Sequence, residues 1–313
     1  MIAVNKLQTL LNADHFVVSA ELTPPRHYKI KPLISKAEKI AAYVDAVHLN
    51  DNALSQARLS NVVAAHLIQQ IGIEPVVQLT LRHKNRIALQ SDLLGLAALG
   101  IRNIMILGGY PCSIGSDPEA KEANDISAID AIAAIHNLTT YGKMFNGDTI
   151  APAPDFYIGT IALPYAAPDK LEESMALLEA KIARGARYIQ LQATFDLAAM
   201  QQWMAEVVKR GLHQRVHFIG AIFPFSSWKG LEFLQKMPGF YIPHEVVERI
   251  RRGDCKSESL KITLELIQGM QAIEGIRGVH LRLIGSSDCS QIVELAGLRQ
   301  FASNHFGEAF PLS

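Results

Sequence analysis

The sequence predicts a closed (β/α)8 barrel, the TIM-barrel class, as one domain over residues 1–313 with a short helix at the front. Three observations predict it. Short apolar runs alternate with longer amphipathic segments along the whole chain. The run Ile104-Met-Ile-Leu107 is continuously apolar, as expected of a parallel strand buried on both faces. The strand–helix unit recurs eight times, whereas an open doubly wound sheet needs a topological switch point and rarely uses so even a count.

The elements follow in order. The front segment, residues 1–16, is amphipathic and carries no cleavage-like motif after an apolar core. Strand one spans residues 16–22 and its helix 34–43; strand two spans 46–50 and its helix 59–70. Strand three covers 75–81. Asn85 can cap the next helix by accepting from its orphan amides. Ile87, Leu93, Leu94 and Ala97 mark that helix's apolar face, and Gly100 suits the left-handed position just past its end. Strand four, 104–107, stops at Gly108-Gly109-Tyr110, where paired glycines let the backbone approach a ligand or simply turn. After a helix at 126–136 comes a polar, Gly- and Pro-containing interval, 137–155, beyond which the alternation resumes. Strand five is 157–162 with a helix at 171–184, strand six 188–192 with a helix at 197–210, and strand seven 216–222. Helices follow at 228–236, 244–251 and 257–274, then strand eight at 279–284 and a last helix at 291–298.

Composition narrows the function. With 30 basic and 30 acidic side chains the formal net charge is zero, which argues against a general nucleic-acid or anionic-membrane binder. Three widely spaced cysteines, Cys112, Cys255 and Cys289, fit a reducing compartment, and no apolar run is long enough to insert in a bilayer. This reads as a soluble cytoplasmic protein.

Barrel chemistry sits at the carboxyl ends of the strands. Those positions carry Glu21, Asn50, Gln78, Gly108-Gly109-Tyr110, Leu163, Gln192 and the loop from Phe223 to Trp228, a set that reads as polar but nearly uncharged. It has neither the acid–histidine cluster of a metal hydrolase nor a basic ring for a phosphosugar, and no metal is expected. Glu21, among apolar groups and two prolines, is expected to lose solvation and so to have a raised pKa, which suits a general acid; a structural acid bonded to a neighbour is the competing reading. Gln190 and Gln192 alternate onto one face, where a heteroaromatic edge or a neighbouring strand would satisfy them. Phe225 and Trp228 either stack on a planar ligand or pack a loop over the barrel. Arg82, Arg86 and Asp92 read as ion-pair residues, and His83 and His244 as ordinary exposed ones.

Together these residues resemble the 5,10-methylenetetrahydrofolate reductase family. The likeness is carried by Ser19-Ala-Glu21-Leu-Thr-Pro-Pro-Arg26, Asn85-Arg-Ile-Ala-Leu-Gln-Ser-Asp-Leu-Leu-Gly95, Ala98-Leu-Gly-Ile-Arg-Asn103, Asp117-Pro-Glu-Ala-Lys121, Gly185-Ala-Arg-Tyr-Ile-Gln-Leu-Gln192 and Ile242-Pro243. It runs from strand one to strand eight and looks closest to the short forms of anaerobic one-carbon pathways. The resemblance implies a barrel carrying FAD or another flavin, reduced by NADH or NADPH, with tetrahydrofolate as the substrate's frame. It implies Glu21 as the acid that protonates folate N10, and Gln192, Tyr110, Phe223 and Trp228 on the substrate. On the flavin side it implies Asn50, Gln78, Gly108, Gly109, Ala123, Leu163 and Lys181, the lysine near the phosphates.

The chain departs from the family where the flavin would lie. The family's acid after the strand-four glycine is Tyr110, the residue before that glycine is Gly108, the strand-two threonine is Asn50, the strand-five aromatic is Leu163, and the Asn-Arg after strand eight reads Gly285-Ser286. Three readings follow: the flavin-dependent reductase; a flavin-independent folate enzyme, transferring hydride directly from a nicotinamide or handling a methyl group; and a non-catalytic member of a one-carbon complex, with a partner subunit or a homo-oligomer left open.

Overall fold

The computed structural model describes residues 5–164, 168–236, 240–283 and 289–299. Eight parallel strands close into a barrel in chain order, each hydrogen-bonded to the next and the last to the first. They are β1 (Val17–Leu22), β2 (Ala46–Leu49), β3 (Pro75–Thr80), β4 (Asn103–Leu107), β5 (Tyr157–Ala162), β6 (Tyr188–Leu191), β7 (His217–Ile222) and β8 (Ile276–Leu281). The helices are α1 (Lys6–Asn12), α2 (Lys31–Ile40), α3 (Asn61–Gln70), α4 (Arg86–Ala98), α5 (Ala128–Tyr141), α6 (Pro168–Ala183), α7 (Leu197–Lys209), α8 (Trp228–Gln235), α9 (His244–Arg252), α10 (Cys255–Ala272) and α11 (Ser290–Leu295). No helix among the described residues is long and apolar enough to cross a membrane.

Two apolar regions hold the barrel. Outward-facing strand residues such as Val18, Val47, Val77 and Ile104 pack beneath the helices in one continuous core. Inward-facing residues Val17, Ala46, Val76, Met105, Tyr157, Tyr188 and Ile219 fill the lumen, and Leu7 and Leu11 of α1 join them, so the front helix packs into the barrel's amino end. The Tyr157 and Tyr188 rings stack with centroids 5.2 Å apart, and the Tyr188 hydroxyl donates to the Ile104 carbonyl at 3.2 Å. Gly159 makes room for this pair: a Cβ there would lie 2.1 Å from Tyr188 Cζ. The filled amino end leaves chemistry to the carboxyl end.

Several boundaries differ from expectation. The Asn85 side chain does accept from the Ala88 amide, but Ile87 and Leu94 are 78% and 42% exposed; the buried face of α4 is Leu89, Leu93 and Leu96. Seven-residue spacing aligns Ile87 with Leu94 on one stripe, and the barrel contacts the neighbouring stripe. Helix α5 runs on to Tyr141 and closes at Gly142, whose φ of 63° is left-handed, so the irregular interval starts later than composition indicates. Strand β8 begins three residues early and ends at Leu281, which puts Arg282 at the barrel mouth. Ile284, the expected last residue of strand eight, lies outside the described residues, as do Gly285 and Ser286.

Candidate functional site

Register places the polar residues of the mouth. Strands β1 and β8 pair with Ser19 opposite His280, and β1 and β2 with Glu21 opposite His48, so these side chains share the lumen's upper layers. The Ser19 hydroxyl lies 2.9 Å from His280 Nδ1, and the His48 and His280 rings are 4.4 Å apart. Burial pushes both histidines below the ordinary imidazole pKa, against the raising influence of the Glu21 carboxylate. His48 is fully buried, and neither of its ring nitrogens has a hydrogen-bond partner among the described residues.

Above this layer the mouth is a cavity of about 500 Å³. At its centre Arg282 joins Glu21 and Gln192: Nε lies 3.3 Å from Glu21 Oε1 and Nη1 3.4 Å from Gln192 Oε1. The guanidinium also sits over the Phe223 ring, 4.3 Å from its centroid. A chain of carboxamides continues from the acid. Gln78 Nε2 donates to Glu21 Oε2 at 3.4 Å, Asn50 Nδ2 donates to Gln78 Oε1 at 3.4 Å, and the Thr23 hydroxyl donates to Asn50 Oδ1 at 2.7 Å.

This arrangement overturns the expected raised pKa of Glu21. Burial does push the carboxyl upward, but the Arg282 charge and the nearby His280, whose Nε2 is 3.8 Å away, outweigh it; the group sits well below the ordinary carboxylate range. It also overturns the nearly uncharged mouth. Besides Glu21 and Arg282, Asp51 and Arg58 line the cavity. Asp51 accepts from the Thr80 amide at 2.9 Å and pairs with Lys84 at 2.8 Å.

Of the residues expected on a ligand, Glu21, Gln192, Tyr110, Phe223, Asn50, Gln78, Gly109 and Leu163 line one cavity. Trp228, Gly108, Ala123 and Lys181 do not line it. Trp228 opens α8 and is 42% exposed; Phe233, further along the same helix, supplies the aromatic wall instead. Phe225 is buried edge-on against Phe195 and packs the loop. Lys181 Nζ donates to the Ile161 carbonyl at 2.7 Å, and burial lowers its pKa. The Ala123 amide donates to the Arg82 carbonyl at 2.9 Å. Gly109, with φ of 91°, brings its bare Cα against the Thr80 methyl, where a Cβ would lie 2.2 Å away, so the double glycine serves a tight turn. Of the residues expected on the flavin side, Asn50, Gln78, Gly109 and Leu163 thus line the cavity, whereas Gly108, Ala123 and Lys181 lie outside it, the last two engaged by backbone carbonyls.

The smaller expectations divide. Arg82 pairs with Glu122, Arg86 with Asp125 and Asp92 with Lys84. His83 is half-buried rather than exposed: Nε2 lies 3.2 Å from the Ser55 hydroxyl at the cavity wall. Among the described residues, no group of three His, Cys, Asp or Glu side chains is placed to hold a metal ion. Arg282, Arg58, Asp51, His48 and His280 escaped the sequence reading. Alternation along Val279-His280-Leu281-Arg282 puts the two basic residues on one face, a signal available once the strand's end is known.

The family model described as Methylenetetrahydrofolate reductase matches residues 6–297. A Caenorhabditis elegans protein named "Probable methylenetetrahydrofolate reductase (NADPH)" is 20% identical over 253 residues, covering 78% of this chain and 35% of that protein. "Methylenetetrahydrofolate reductase 2" of Schizosaccharomyces pombe (strain 972 / ATCC 24843) is 24% identical over 209 residues, covering 66% of this chain and 32% of that protein. The chain thus spans about a third of the length of these curated relatives. Among solved structures, an uncharacterized protein from Clostridium thermocellum that binds two copies of 5-methyl-5,6,7,8-tetrahydrofolic acid superposes with a TM-score of 0.62 at 15% identity, covering 93% of this chain and 95% of that one. At that identity the likeness is one of fold.

Proposed function

We propose a reaction from one premise: this chain belongs to the methylenetetrahydrofolate reductase family, whose model spans residues 6–297. The barrel mouth binds a reduced folate and interconverts its 5,10-methylene and 5-methyl forms without a flavin. Reduction adds a hydride to the methylene carbon, breaks the bond from that carbon to N10, and adds a proton to N10. A reduced nicotinamide is the hydride-donating second substrate; the C. elegans relative's name specifies NADPH.

One observation carries the reading. Glu21 and Gln192, on strands far apart in sequence, converge on a single guanidinium over one cavity, at 3.3 and 3.4 Å. A flat pterin that enters between them takes the place of Arg282: the glutamine amide meets the ring's polar edge and Glu21 faces N10. Once the ligand separates Glu21 from Arg282, the largest influence lowering the carboxyl's pKa is removed, and burial pushes the group toward its protonated form. Glu21 then takes a proton from solvent and passes it to N10, as a general acid active only in the complex. Phe223 and Phe233 supply apolar walls for the ring.

The test compares wild type with Glu21→Gln. Binding of 5-methyltetrahydrofolate is measured by calorimetry, and turnover by oxidation of NADPH with 5,10-methylenetetrahydrofolate. Folate affinity is expected to stay within a few-fold while turnover falls by about 10²–10⁴. Unchanged turnover removes Glu21 from the mechanism, and a wild type that binds no folate removes the reading itself.

A further inference from the structure

The charges around the cavity do not balance locally. Glu21 is answered by Arg282, and Asp51 by Lys84. Arg58, which also lines the cavity, has no carboxylate within ion-pair distance among the described residues. Its Nη1 donates to the Pro24 carbonyl at 3.1 Å and its Nη2 to Gln56 Oε1 at 3.1 Å, both neutral acceptors. Its Nε is buried and has no partner among the described residues. Burial, and then the charge of nearby Arg26, depresses the guanidinium's pKa, so this cation stands in an environment that disfavours its charge. A desolvated guanidinium with a like-charged neighbour and no counter-ion is stabilised by an incoming oxyanion, for which its planar fork is suited.

The backbone that presents Arg58 is unusual. Asn52, Leu54 and Ser55, in the loop after β2, have φ of 49°, 56° and 52°, a left-handed conformation that side chains other than glycine rarely adopt. Such strain persists only where surrounding bonds enforce it, and it gathers at ligand clamps. Here Asn52 Oδ1 accepts from the Arg58 amide at 3.0 Å and the Ser55 hydroxyl donates to the Tyr110 carbonyl at 2.8 Å. The loop is thus tied both to Arg58 and to the β4 end across the cavity. Helix α3 begins three residues after Arg58, and its N-cap Ser60 makes no side-chain cap, which leaves first-turn amides beside the same loop.

We propose that Arg58, with Arg26 beside it, forms an oxyanion subsite between the loops after β1 and β2, which holds the anionic tail of a ligand whose ring occupies the barrel mouth. The tail is a multiply charged carboxylate or phosphate. It comes either from the glutamate tail of a reduced folate or from the phosphates of the nicotinamide nucleotide. The subsite rests on the folate reading above only for the first of these sources.

The experiment measures dissociation constants for the full chain and for Arg58→Gln and Arg58→Lys. The probes are 5-methyltetrahydrofolate with one and with three glutamates, NADPH, and inorganic pyrophosphate as a bare oxyanion. Wild type is expected to bind the triglutamate about tenfold tighter than the monoglutamate, the scale of one added charge-assisted contact. Arg58→Gln brings that ratio close to one, weakening the triglutamate about tenfold and the monoglutamate by less, and Arg58→Lys restores part of the ratio. If tail length has no effect but Arg58→Gln weakens NADPH and pyrophosphate about tenfold, the subsite holds phosphates. A wild type that binds pyrophosphate but no folate sinks the folate reading and keeps the subsite. Equal affinities of wild type and Arg58→Gln for every probe, at matched melting temperature, overturn the subsite.

Discussion

Replacing Arg282 with methionine isolates the group that keeps Glu21 ionised. The two side chains are 19% and 12% exposed and meet at 3.3 Å. At an effective dielectric of about 20, a pair at that separation attracts by about 5 kcal/mol before desolvation. Stranding one partner of such a buried pair costs about 3–5 kcal/mol. Since one pKa unit is about 1.4 kcal/mol, Glu21 is expected to titrate about 2–3 units higher in Arg282→Met than in wild type. The pH dependence weakens with it. In wild type the lowered pKa contributes stability that is fully present above the unfolded value of about 4.3 and is lost as pH falls from there through the folded value. In the variant the carboxyl loses the largest of the influences that lower its pKa, so its folded and unfolded values lie closer together and most of this contribution is gone. Thermal melts of both proteins at about pH 2 and about pH 7 read this directly. The gap in Tm should be wide at the higher pH and narrower at the lower one. Loss of the contact with the Phe223 ring adds only a pH-independent offset of about 0.5–2 kcal/mol. A gap of equal size at both pH values refutes the view that Arg282 sets the charge of Glu21.

Other perturbations probe the site and its frame. Gln192→Leu leaves Arg282 one hydrogen bond short and removes an amide from the cavity; 5-methyltetrahydrofolate affinity should drop about tenfold by calorimetry, with little change in Tm. Asp51→Ala leaves Lys84 paired with Asp92 alone and the Thr80 amide without its acceptor, and should lower stability by about 1–3 kcal/mol in a denaturant titration. Gly159→Ala drives a methyl group into the buried Tyr188 ring and should cost about 1–3 kcal/mol by the same measurement, whereas Gly159→Ala combined with Tyr188→Leu should recover part of it.

How much was legible divides by the range of the interaction. Strand β4 announced itself because both its faces are covered and every residue must be apolar, and α4 because Asn85 caps it within four residues. The failures on the same helix, Ile87 and Leu94, arose because periodicity defines a stripe but not which neighbour it meets. Glu21 and Gln192 were identifiable from their positions at strand ends. The protonation of Glu21 was not, because the residue that controls it is 261 positions away. Trp228 looked like a stacking residue from its loop, yet the turn of α8 points Phe233 at the cavity.

The sequence alone determined the barrel class, the eight strands and the end at which the polar residues gather, since these depend on local hydrophobic periodicity and on strand direction. Tertiary structure alone decided the charge state of the mouth. Closure pairs β1 with β8 and brings Arg282, just past the last strand, against the first strand's Glu21, and the fold of the β2 loop leaves Arg58 facing the cavity without an acid partner among the described residues. The physical reason is that Coulomb attraction and desolvation depend on distance and burial in space, which local sequence spacing does not encode.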